Sequence, residues 1–204
     1  MADTQTIVRS RTKSFRDIHV AKVTKNTETE YATDTPTKLA RAITGKISDK
    51  FESEKIYSDD SVEDTNMQYT GTEVELEVNS LAPQDKSRIF GHLYENGYLV
   101  KNKGDIAPEV ALGWRAKKLN GKYEFCWLYA GRFDQGLEDN YETEGANTNT
   151  QTATLKGNFY ERQSDGNYKV EVDESNLVTE DTAAAAASKD SFASVQEPPK
   201  GTAG

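Results

Sequence analysis

Cysteine is nearly absent from this chain: Cys126 stands alone, which excludes an internal disulfide and any metal cage built on thiolates. Histidine is almost as scarce, with only His19 and His92. No run reaches the roughly 18 apolar residues that a membrane-spanning helix needs. The opening MADTQTIVRSRTKSF lacks the apolar stretch of a secretory signal. Together these absences point to a chain made and kept in a reducing cytoplasm. Basic residues are also in the minority, 25 against 34 acidic ones, for a formal charge of -9. A protein that grips nucleic acid phosphates needs clustered Lys and Arg, so the balance argues against that class. Walker loops, GxGxxG, HExxH and GxSxG are all missing, and with them the usual signs of phosphate cradles, hydrolytic metals and nucleophilic serines. No cofactor is implied.

Apolar residues are few as well. At 35% hydrophobic content and a mean hydropathy of -0.80, a chain of 204 residues is poorly supplied for a self-sufficient core. Either part of it stays unpacked, or partner chains cover what it cannot bury.

What is present is mostly strand pattern. Residues 1–15 are polar and without period, and read as a flexible arm. From Arg16, RDIHVAKV alternates with Ile18, Val20 and Val23 as its apolar members. NTETEYATDTPT, residues 26–37, is turn-rich. A strand is expected from about 41 to 56, where Gly45 and the Ser/Thr content disfavour a helix interior. In GTEVELEVN, Val74, Leu76 and Val78 share one face, and Glu73, Glu75 and Glu77 the other. Three carboxylates in a row repel unless they face water, so one side of this strand is core and the other wet and negative. LAPQDKSRIFGHLYENGY predicts the main helix, with Pro83 in its first turn, Asp85 near its positive end, and Ile89, Phe90 and Leu93 as its apolar stripe. Asn96-Gly97 marks a turn. PEVALGWRAKKL and KYEFCWLYAGRF predict a hairpin closed by Asn120-Gly121. After a polar loop over 134–149, TQTATLKGNFYERQ and NYKVEVDE predict a second hairpin around SDG. From about Val178 the Ala-, Ser- and Pro-containing chain reads as a mobile tail. About eight strands and one helix result, with the folded domain over 16–177 and a disordered tail over 178–204.

Cys126 sits among aromatics in KYEFCWLYAGRF. Tyr123, Phe125, Trp127 and Tyr129 share one face; Glu124, Cys126, Leu128 and Ala130 share the other. Both faces are largely apolar, as in a strand covered on both sides by its own fold or by another chain. A nucleophilic cysteine needs a base and an electropositive setting, and no motif ties His19 or His92 to it. A structural role is expected. YSDDSVED holds enough carboxylates for a calcium loop but lacks the glycine and terminal glutamate spacing of one, so a solvated turn is expected there.

The order of DIHVAKV, KIYSDDS, a helix running into IFGHLYENGYL, and then DIAPEVALGWRAKKLNGKYEFCWLYAGRF resembles the major tail proteins of long-tailed, non-contractile phages (siphophages) of Gram-positive bacteria. The resemblance covers about residues 16–173. It implies a mostly-β subunit, a sandwich or barrel-like tail tube fold with one flanking helix. Six such subunits form a ring, and rings stack into a hollow tube that conducts DNA. The implied partners are further copies of the chain, a tape measure protein, a tail terminator, and tail-tip or baseplate proteins, with double-stranded DNA passing through unbound. The implied place is the virion tail, assembled in the bacterial cytoplasm, and no enzymatic role is implied.

Under that resemblance Glu73, Glu75 and Glu77 become candidates for a lumen-facing acidic row; the rival placement is the tube exterior. The loops at 26–37 and 134–149 become candidates for ring-to-ring contact, with plain surface loops as the alternative. A different class of function, a β-sandwich adhesin or carbohydrate-binding module, would use Trp114 and Trp127 as exposed sugar platforms.

Overall fold

Period-two alternation builds two facing antiparallel sheets in the computed structural model, which describes residues 6–58, 61–139, 152–177 and 188–198, with backbone alone at 54–58 and 61–65. The first strands are β1 (Thr12–Asn26), β2 (Tyr31–Thr33) and β3 (Thr37–Lys38). The longest pair follows, β4 (Ala42–Ser58) and β5 (Ser61–Val78). After the helix α1 (Pro83–Phe90) come β6 (Leu93–Glu95) and β7 (Tyr98–Val100). Then come β8 (Val110–Lys118), β9 (Tyr123–Leu128), β10 (Ala130–Arg132), β11 (Leu137–Asp139), β12 (Ala153–Tyr160) and β13 (Lys169–Asp173). One sheet has the order β13-β9-β8-β1, with β2 and β3 along the far edge of β1. The other runs β4-β5-β12, with β10 and β11 sharing the far edge of β12. β6 and β7 pair only with each other.

Between the sheets lies the main core. Ile18, Val20, Leu112, Trp114, Cys126 and Leu128 from one side meet Val74, Leu76, Val78, Leu155 and Phe159 from the other. The predicted β8–β9 hairpin forms as expected, in register Leu112↔Leu128 through Lys117↔Tyr123. Its second strand breaks at Tyr129, and the chain continues as β10 in the opposite sheet. β1 carries a bulge between Arg16 and His19, where Asp17 adopts φ 56°. Burial disfavours the Asp17 carboxylate, yet hydrogen bonds from Lys38 and Arg115 hold it below its ordinary pKa.

Four expectations from the sequence need correction. The helix is eight residues long and stops at Gly91, which caps it in the left-handed region at φ 74°. Leu93 is therefore not on a helical stripe but on a short strand, and exposed. TQTATLKGNFYERQ and NYKVEVDE, at 150–163 and 167–174, do not form the expected hairpin: β12 has β5 on one edge and β10 with β11 on the other, so no edge remains for β13, which pairs with β9 instead. The amino-terminal arm is tied down from Val8, whose N–H donates to Asn176 Oδ1, and β1 begins at Thr12. Finally, residues 188–198 of the expected tail lie against the outer face of the first sheet, burying Ser191 and Val195. The rest of that tail, 178–187 and 199–204, falls outside the described residues.

Candidate assembly surfaces

β4 and β5 pair along their whole length, from Ala42↔Val78 to Ser58↔Ser61. β12 accompanies β5 only over Thr72–Val78. Beyond Gly71 the hairpin therefore runs on as a two-stranded ribbon with no third strand among the described residues. At about 3.3 Å per residue, this free arm is on the order of 25 Å long. Isolated two-stranded ribbons are marginal in water. One face of the arm carries Phe51 and Tyr69 side by side, with Ser53 and Met67 two residues further out. Tyr69 is anchored at the arm's root: its ring stacks on Tyr168 at 3.9 Å and its hydroxyl meets Thr72 Oγ1 at 2.8 Å. Burial pushes the Tyr69 phenol up to about 12. Phe51 and Met67 have no such cover and stay 49% and 68% exposed.

Glu73, Glu75 and Glu77 lie as the alternation requires, on the outer face of the five-stranded sheet, with Val74, Leu76 and Val78 buried beneath. The strand is uniformly acidic on this side; the sheet is not. Register sets Lys46 beside Glu75 on one flank and Lys156 on the other. Lys50 Nζ reaches Glu73 at 3.0 Å, and Lys156 lies 3.7 Å from Glu75 and 3.5 Å from Glu138. Thr44 and Thr152 donate hydroxyls to Glu77. Glu73, Glu75, Glu77 and Glu138 thus share the face with Lys46, Lys50 and Lys156. The repulsion along β5 is relieved by cross-strand pairs worth about 0.2–1 kcal/mol each. Alternation alone puts Lys46 and Lys50 on one face of their strand, but only the register sets that face beside the glutamates.

A match to the phage tail tube protein family model spans residues 42–192. The chain belongs to that family. No curated protein matches the chain. A tail tube protein is a structural component of a multimeric virion tail, and the mostly-β architecture of the described residues accords with this.

The tail tube sheet has two open edges in the described structure. β4 bonds only to β5, and the β10/β11 edge only to β12. Unpaired strand edges are templates for further pairing. The loop at 26–37 is not free for such use throughout. Tyr31 donates to the Tyr129 carbonyl at 2.6 Å, and Lys25 pairs with Glu30. Within 134–149, Leu137–Asp139 form β11 and the remainder from 140 on is outside the described residues.

Cys126 faces the inter-sheet core, and burial, aided by Glu171 and Glu124, pushes its thiol pKa up. That setting is the opposite of what a thiolate nucleophile requires. Trp114 and Trp127 are both buried, which removes the proposed sugar platforms. Among the described residues no cluster of acidic, His or Cys side chains could hold a metal; the carboxylates of YSDDSVED lie where side chains are not described. Among the described residues no helix is long and apolar enough to cross a membrane.

Proposed function

We propose that this tail tube protein polymerises as stacked six-membered rings whose bore carries DNA from the phage head to the host. The observation that carries the reading is the five-stranded sheet's pair of open edges, four strands apart, together with an arm that projects beyond its own sandwich. Joining β4 of one copy to the β10/β11 edge of the next closes a continuous wall and removes both edges. Six copies of a four-strand width at ~4.8 Å per strand give a circumference of about 115 Å before tilt, hence a bore on the order of 40 Å between backbones. A duplex whose major groove alone is ~12 Å wide passes through with room for side chains and water. The exposed apolar side of the arm, Phe51 and Met67, is then covered by a neighbouring copy.

The face bearing Glu73, Glu75 and Glu77 lines the bore in this arrangement. Two of its three lysines are already paired with glutamates, so it offers phosphates little unpaired positive charge. The remaining repulsion acts over about one Debye length, ~8 Å. A duplex finds no adhesive stripe and slides. Tape measure, terminator and tail-tip proteins are the heterologous partners of such a tube.

Negative-stain electron microscopy of the concentrated protein tests the reading. Rings or tubes with a central bore are expected; discrete particles of single-chain size at every concentration contradict it.

A further inference from the structure

The first sheet has a second hydrophobic cluster on its outer face, separate from the core between the sheets. Ala21, Ala111, Trp127 and Tyr129 form its floor, and Val195 from the carboxy-terminal segment fills it. The floor is shaped by side-chain size. Gly113 lies opposite Trp127 in the register, and the indole lies so close to it that an added Cβ would meet the ring at 2.5 Å. The small side chains of Ala21 and Ala111 leave a trough beside it.

Residues 188–198 occupy this trough without joining the sheet; they form no strand and extend no ladder. Phe192 stacks on His19 at 4.0 Å with an 11° interplanar angle, and its ring lies about 6 Å from both Phe125 and Trp127. Trp127 Nε1 donates to the Ser191 carbonyl at 2.8 Å, and the Tyr129 hydroxyl to the Gln196 carbonyl at 3.0 Å. Arg162 ends the row. Its guanidinium lies 4.2 Å from the Tyr129 ring, is held by Asp165, and donates to Glu197 at 2.6 Å.

Every one of these contacts comes from a side chain whose backbone is secured elsewhere. β9 carries Phe125 and Trp127 with β8 on one edge and β13 on the other, and the Tyr129 N–H donates to the Tyr168 carbonyl. The walls of the trough therefore stand without the segment that fills it. Residues 188–194 form a tight turn, closed by the Ala193 N–H on the Asp190 carbonyl. Side chains of the sheet bonding the carbonyls of this turned peptide segment, an aromatic box and a terminal guanidinium form a peptide-recognition site in chemical terms.

We infer that the outer face of the first sheet is a peptide-binding groove and that residues 188–198 are its separable ligand, read through Phe192, Val195 and Glu197 as an F-x-x-V-x-E pattern. The segment is a strap that opens while the sandwich stays folded. The inference does not rest on tube assembly and stands or falls by itself. In the intact chain the strap is held at an effective concentration on the order of 1 mM, which keeps the groove filled.

The test uses the full chain carrying Phe192→Ala, with a fluorescently labelled synthetic peptide of residues 188–198 as probe. The variant should keep its β circular dichroism and bind the peptide in trans, detected by anisotropy. The unsubstituted chain should bind it about tenfold more weakly or worse, because its own strap competes. A peptide with the same Phe192→Ala change should not bind either chain. A folded variant that ignores the peptide overturns the inference, since the groove is then not a site. A variant that loses its β signal overturns it too, since the segment is then an integral part of the fold.

Discussion

Replacing Phe51 and Met67 together by serine separates what the arm does for the subunit from what it does for the polymer. Both side chains are substantially exposed in the single chain, at 49% and 68%. Surface changes of that kind usually alter subunit stability by no more than about 0.5 kcal/mol. In a tube the same side chains are covered. Large side chains bury ~150–250 Å², so about 100 Å² of each remains to be covered on assembly. At ~25 cal/mol per Å² this is about 2.5 kcal/mol for each, or about 5 kcal/mol per copy. Association never converts area fully. Even about 1.4 kcal/mol of it shifts the critical concentration tenfold. The assay pairs a thermal melt of dilute protein with sedimentation of polymer across a concentration series. An unchanged melt and a critical concentration raised at least about tenfold are expected. Unimpaired polymerisation, or a monomer weakened by several kcal/mol, would refute the arm's assignment.

Reversing Glu73, Glu75 and Glu77 to lysine gathers six lysines on one face with Lys46, Lys50 and Lys156, against the neighbouring carboxylates of Glu138 and Asp134. Tubes should still form while genome exit slows, and normal infectivity would remove these residues from the bore. Asp165 is held below its ordinary value of 3.8, first by hydrogen bonds from Arg162, with burial opposing. A carboxylate held low adds stability above its unfolded pKa that is lost as pH falls through the folded one. The stability gap between the parent and Asp165→Asn should therefore be full near neutrality and close below about pH 3.9. Urea titrations at several pH values check this, and a gap independent of pH contradicts it. Cys126 should resist alkylation in the native protein near neutral pH and react on unfolding; rapid native labelling would show a more open site. Gly157→Ala drives a methyl into the Arg132 carbonyl and the Phe133 Cα, both backbone. That should cost about 1–3 kcal/mol, measured by thermal melt.

The sandwich was legible wherever one side chain's fate could be settled by its neighbours two residues away. Val74, Leu76 and Val78 announced a half-buried strand, and Asn120-Gly121 announced the β8–β9 hairpin. The partner of a strand was harder to read. β13 looked like a hairpin partner of β12 because the two are adjacent in sequence, but the free edge belonged to β9. The acidic row was visible and its balance by lysines was not, since Lys46 and Lys156 come beside Glu75 only through register on both flanks. The two apolar faces of β9 correctly signalled a cover on each side. The second cover is a segment whose Ala-, Ser- and Pro-containing composition resembled a free tail. Phe192 and Val195 were its only apolar signals, too sparse to form a period. How far β5 extends is not legible for a related reason: residues 61–66 have no alternation, as befits the outer part of a ribbon with no core of its own.

A cryo-EM map of the polymer at a resolution that separates strands tests the central claim most directly. It should show β4 of each subunit hydrogen-bonded to the β10/β11 edge of its neighbour, with Glu73, Glu75 and Glu77 pointing into a bore on the order of 40 Å between backbones. A polymer in which both edges stay unpaired, or in which the carboxylates face outward, would contradict it.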